Sequence, residues 1–293
     1  MNRRFYSVLY IIILAIALCS GANAYNPGHV RFHNEATDTT RINQILDKTL
    51  ASSASTPNER VAMIAEMFLG TPYVAHTLEC DSAEYLTVNL DELDCTTFVE
   101  TVAALARTAG EKRGSWRDFL YNLERLRYRG GEMDGYPSRL HYICDWVTDN
   151  SYRGNIKDAT TRFPKVFYLV RTVDFMTSHR DKYPALADSA NYERMKTVEM
   201  GYRNHRFPHV TTIDINDKMT KAAFQSGDIV GLTTGLKDLD VTHMGIIIKR
   251  DGEPYLLHAS STKGKVVMSE EPLATFMKRN RQFIGVRVIR LED

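Results

Sequence analysis

The sequence predicts an α+β fold, because helical periodicity is confined to the front of the chain and period-two strands to the back. A helix over about 57–69 is marked by the Thr56 and Glu59 capping box, by Pro57 at the first helical position and by Gly70 as the stop. Its apolar face is Val61, Ile64, Ala65 and Phe68. A second helix opens at Asp94-Cys95, where Asp94 suits the cap and Phe98, Val99, Val102, Leu105 and Ala106 recur at helical spacing. A third starts at Ser115, with Trp116, Phe119, Leu120, Leu123 and Leu126 inward. Strands are expected over about 228–232, 244–249, 255–259, 266–268 and 284–289. Between 129 and 221 short apolar runs mix with aromatic and basic residues, and no internal repeat appears. The chain therefore divides into a leader (1–24), a helical half (25–109), an insertion (110–221) and a sheet half (222–293).

The leader is read from Arg3 and Arg4, the apolar stretch 8–18 and the small-x-small run Ala22-Asn23-Ala24, which together have the form of a cleaved export signal. Its apolar core is short against the roughly 20 residues that span a bilayer. Leu18 before Cys19 argues against lipoprotein anchoring, so a soluble periplasmic protein with no membrane span is expected, as a monomer. A formal net charge of +1 and no long basic run exclude an electrostatic case for nucleic acid. Removing Cys19 leaves Cys80, Cys95 and Cys144, an odd number in a disulfide-permitting compartment. If a pair forms, Cys80 with Cys144 would spare Cys95, whereas a bridge to Cys95 would silence it; the alternative is three unpaired thiols.

Cys95 is the candidate nucleophile. At the first turn of a helix, unpaired amides and the positive end of the dipole favour a thiolate, and a nearby histidine would complete the activation. His243 and His258 supply two candidates. Asp251-Gly252 is a two-residue hairpin signal between Ile246-Ile247-Ile248 and Tyr255-Leu256-Leu257. Centring the turn there pairs Arg250 with Glu253, sets His258 opposite Gly245, and makes His243 and His258 diagonal neighbours on one face, roughly 7 Å apart between Cα atoms. Gly245 would leave room for the imidazole to lean across. Pro254 fits poorly in a ladder and leaves longer loops open. A four-residue loop keeps the histidines on one face but further apart, and an odd-length loop separates the faces. No close His-x-x-x-His or Cys-x-x-Cys pair suggests a metal, and no cofactor is expected.

Gly70-Thr71-Pro72-Tyr73, Asp94-Cys95, Ser226-Gly227-Asp228-Ile229-Val230, Thr242-His243-Met244-Gly245-Ile246 and Leu257-His258-Ala259-Ser260 resemble, in order, the NlpC-type cell-wall cysteine hydrolases, a papain-related α+β fold. The resemblance covers about 57–107 and 222–290. It implies Cys95 as nucleophile, His243 as general base, His258 as the group that orients it, Tyr73 as the tyrosine contacting the nucleophile, and the Cys95 main-chain N–H in the oxyanion hole. The long gap from Cys95 to Gly227, with Ser138-Arg139-Leu140-His141-Tyr142 and Asp145-Trp146 inside it, is similar to the N-acetylmuramoyl-L-alanine amidase-like branch. That branch implies cleavage between the lactyl group of muramic acid and L-alanine, on soluble muropeptides with a 1,6-anhydro sugar. Arg139, His141, Tyr142 and Trp146 are candidate substrate contacts, although Tyr142 and Trp146 at helical spacing also suit a core. Ser260 and Ser261 are further candidates beyond His258. The competing readings are a D-Glu-diaminopimelate endopeptidase, an acyl transferase and a muropeptide-binding protein without turnover.

Overall fold

Helices assemble where caps and apolar faces coincide. The computed structural model describes residues 29–79 and 83–293, and the fold below is that of the unit Arg31–Asp293. The expected leader and Cys80 lie outside the described residues; Cys144 is a buried free thiol.

Helix α1 (Glu35–Leu50) is capped by Asn34 and buries Ile42, Ile45 and Leu46. It is absent from the elements expected from the sequence, because Thr and charged residues dilute its apolar stripe. Helix α2 (Pro57–Glu66) starts at the Thr56 and Glu59 capping box. It ends before Leu69 because 67–70 tighten into turns closing on Gly70, whose φ of +88° suits glycine. Helix α3 (Cys95–Gly110) is capped by Asp94, whose carboxylate accepts from the N–H groups of Thr96 and Thr97 at 3.0 and 2.7 Å. Every residue from Thr97 to Ala109 is buried, so α3 is the central helix of the molecule. It packs against α1, α2 and α4 (Trp116–Arg127), and Ser115 caps the last of these.

The back of the chain forms an antiparallel sheet. Its strands are β1 (Ile156–Asp158), β2 (Phe167–Arg171), β3 (His205–Thr211), β4 (Ile229–Thr234), β5 (Val241–Arg250), β6 (Glu253–Ser260), β7 (Lys265–Met268) and β8 (Phe283–Leu291). The order is β2-β3-β8-β4-β5-β6-β7, with β1 also pairing β8. Segment 110–221 thus extends this sheet through β1, β2 and β3 and adds the helices α4, α5 (Ile143–Tyr152) and α6 (Ser189–Met200). Helices α2 and α3 pack against β5, and α7 (Leu273–Arg279) places Leu273 and Met277 against Ile247 and Leu256.

The β5–β6 hairpin has the two-residue turn. Arg250 pairs with Glu253 and Ile246 with Leu257, while Asp251 and Gly252 take φ of 52° and 82°. Pro254 pairs with Lys249 without lengthening the loop. In a two-residue hairpin this second pair is not hydrogen-bonded, so the missing N–H faces away from β5, and the pairing of β7 reaches only 257–260 of β6.

A side-chain contact adds to the strand pairing between the sheet half and the middle of the chain. Helix α5 has no side-chain cap of its own; Asp240, immediately before β5, accepts the main-chain N–H of Cys144 in its first turn. Among the described residues, no helix is long and apolar enough to cross a membrane.

Candidate active site

Cys95 stands at the first position of α3, where the cap leaves its side chain facing β5. The main chain of Met244 hydrogen-bonds its sulfur, and Thr96 Oγ1 lies 4.0 Å away. Tyr73 is close enough for the thiol to raise its hydroxyl pKa, an effect added to that of burial. The strand-like run 70–73 that carries Tyr73 is fixed on both sides: Tyr73 N–H donates to Gly264 O at 2.9 Å and Leu93 N–H to Pro72 O at 3.0 Å. The expected lowering of the thiol pKa does not hold. Burial, followed by the Asp94 carboxylate, pushes Cys95 up to about 11. The Met244 and Thr96 hydrogen bonds act in the opposite direction and are outweighed. The aspartate that starts the helix therefore works against the charge that the helix end favours.

The histidines meet as the hairpin register predicts. His243 Nε2 and His258 Nδ1 are 2.7 Å apart, with the rings edge to face at 4.9 Å between centroids. Gly245 is required for this. A Cβ there would lie 3.1 Å from His258 Cβ and 2.9 Å from the Leu257 carbonyl oxygen. Phe283 stacks on His243 at 6.2 Å and Phe276 packs edge-on against His258 at 5.4 Å. Burial and the neighbouring His258 push His243 down to about 3, and burial pushes His258 down to about 4. The resting groups at neutral pH are a thiol and two neutral imidazoles.

Tyr73, Cys95, His243 and His258 open into one cleft of about 720 Å³. It is lined by residues at the β6–β7 turn, among them Ser260, Ser261, Lys263 and Lys265, and by residues of α7 and the approach to β8, among them Phe276, Arg279, Gln282 and Phe283. A thiol, a histidine pair and a neighbouring hydroxyl in a polar cleft are suited to acyl transfer.

The family model described as N-acetylmuramoyl-L-alanine amidase-like matches residues 63–286, a span that includes all four of these residues. The chain belongs to this amidase-like family. Its substrate is accordingly related to peptidoglycan, and its class is hydrolase. The structure of an N-acetylmuramoyl-L-alanine amidase from Bacteroides uniformis is similar at 37% identity and a TM-score of 0.76, covering 81% of this chain and 99% of that one. A Bacteroides fragilis structure described as that of a proposed xylanase is similar at 38% identity and 0.72, covering 78% and 99%. A Legionella pneumophila protein at 20% identity and 0.68, covering 88% and 96%, shares the fold. No curated protein matches the sequence.

A glycosidase needs a carboxylic acid held protonated. In the amidase-like chain the cleft carboxylates are ion-paired, Glu270 with Lys263 and Glu271 with Arg279, both at 2.7 Å. The hydrogen bond and charge of Lys263 hold Glu270 below its ordinary value, the wrong direction for such an acid.

Of the remaining sequence candidates, Ser260 and Ser261 line the cleft, and Ser260 Oγ accepts from Lys263 N–H at 3.2 Å. Arg139, His141 and Tyr142 do not line it. Arg139 is 5% exposed and paired with Glu79 at 2.6 Å and Glu84 at 3.4 Å. His141 Nε2 meets the Tyr136 carbonyl at 2.9 Å. The Tyr142 hydroxyl donates to Glu199 at 2.6 Å and accepts from Met176 N–H at 2.7 Å, and Trp146 is buried. Lys265, Phe276 and Phe283 are cleft residues outside those expected from the sequence. A turn signal at Lys263-Gly264 shortly after His258 would have drawn attention to Lys265, whereas the phenylalanines reach the histidines only through tertiary packing.

Proposed function

We propose that the chain is a papain-like cysteine amidase that hydrolyses the bond between the lactyl group of N-acetylmuramic acid and L-alanine in muropeptides, the 1,6-anhydro forms included. It is exported to the periplasm by the leader 1–24 and acts there. The observation that carries the reading is the 2.7 Å His243–His258 contact in the same cleft as the Cys95 thiol.

With thiol and imidazole both neutral at rest, proton transfer accompanies attack instead of preceding it. His243 Nε2–H donates to His258 Nδ1, which leaves His243 Nδ1 free to take the Sγ proton as sulfur adds to the lactyl carbonyl carbon. The oxyanion accepts hydrogen bonds from the Cys95 main-chain N–H, at the amide-rich start of α3, and from the Tyr73 hydroxyl. The charge on His243 is relieved when its proton passes to the departing L-alanine nitrogen. Water, deprotonated by the neutral imidazole, then cleaves the thioester, giving the lactyl acid and restoring the thiol.

Incubation with defined muropeptides, read by mass, should release the sugar and an intact stem peptide, and Cys95→Ala should abolish release. The absence of Arg139 and Tyr142 from the cleft favours one alternative, cleavage of the D-Glu-diaminopimelate bond. It would instead leave a shortened peptide on the sugar.

A further inference from the structure

The cleft's charges do not balance, and the imbalance has one address. Three cations and two carboxylates line it: Lys263 pairs with Glu270, and Arg279 with Glu271. Lys265 has no ion-pair partner among the described residues. Its backbone is held firmly: 265 bridges Pro72, the next residue's N–H donates to Thr71 O at 2.7 Å, and the preceding carbonyl accepts from Tyr73 N–H at 2.9 Å. The main chain of Lys265 is therefore tethered to the same run that carries Tyr73, and both residues line the cleft.

In the substrate class proposed above, on which this inference rests, N-acetylmuramic acid spends its one carboxyl group in the scissile amide, so every ionised carboxylate belongs to the peptide. We infer that Lys265 binds a carboxylate of the stem peptide, so that the leaving peptide lies along the β6–β7 side of the cleft. Lys265 thus sets specificity and takes no part in bond breaking. An exposed ammonium discriminates through a screened charge pair, so the preference should weaken with salt.

The test compares muramoyl tripeptides whose D-Glu and diaminopimelate carboxylates are free or amidated, in binding and in turnover. Binding to full-length Cys95→Ala protein should favour the free acids about tenfold; adding Lys265→Gln should reduce that ratio to near one, and Lys265→Glu should invert it. In the active enzyme Lys265→Gln should raise KM for the free acids with kcat little changed, and Lys157→Gln, outside the cleft, should change neither. An undiminished preference in Lys265→Gln, or no preference in the parent, overturns the inference. If the peptides bind with the expected ratio but are cut at another bond or not at all, the amidase reading fails and the carboxylate contact stands.

Discussion

The β5–β6 hairpin and the cluster built around Tyr142 both hold polar side chains in packed surroundings and use them in opposite ways. In the hairpin, His243 and His258 bond each other and keep the rest of their edges for the cleft. In the cluster, Tyr142 is saturated by Glu199 and Met176, Tyr202 donates to Asp145 at 2.7 Å, and Cys144 is buried among Val173, Met176 and Leu186. A polar group with all its bonds made internally stabilises a fold, and one with capacity left over can do chemistry. Residue type alone does not distinguish them.

The sharpest way to break this contrast is to remove one member from each side. His243→Ala should lower kcat by about a thousandfold with little loss of stability, the range expected for a general base. Arg139→Ala should do the reverse. It strands the buried Glu84, costing about 3 kcal/mol in denaturant unfolding, while kcat/KM of the folded fraction holds. A kcat collapse in folded Arg139→Ala protein would move that residue into the site. Gly245→Ala probes the boundary, since the new methyl meets backbone as well as His258. A cost of about 1–3 kcal/mol and a drop in kcat are expected together, and unchanged kcat would show that the histidine contact tolerates displacement.

The dependence on pH tests the hairpin side of the contrast alone. His243 and His258 titrate near 6.5 when unfolded and at about 3 and 4 when folded, so the unfolded chain takes up more protons between those limits. Stability should be complete above pH 6.5 and fall as pH drops toward 4. His258→Gln should flatten the slope in urea titrations across pH 4–7. The acid limb of kcat/KM should lie below pH 6, and Cys95 alkylation should keep accelerating above pH 9, as a thiol near 11 requires.

How legible each part was follows the range of the interaction that makes it. The cap at Asp94 and the register through Asp251-Gly252 are local, and both are in the structure as expected. The thiol pKa was misjudged because the dipole of α3 can be read from sequence, whereas the protein packed round the sulfur cannot. Arg139 and Tyr142 looked available because their partners, Glu84 and Glu199, stand 55 and 57 positions away. Lys265 was missed for the converse reason, since its tie to Pro72 closes a long loop.

The Asp240 contact with α5 has a consequence for how such a chain could be shortened. Asp240 lies three positions before His243 and is buried; burial raises its pKa against the Val241 amide, the charge of Arg287 and the Cys144 amide, the last contributed by the long middle segment. Excising that segment would take the Cys144 amide away from a carboxylate that stands beside the histidine strand and leave it to Val241 and Arg287. The middle of the chain is therefore no detachable cassette: chimeras that exchange the segment alone should lose one of the contacts that hold Asp240, at a point far from the exchanged ends.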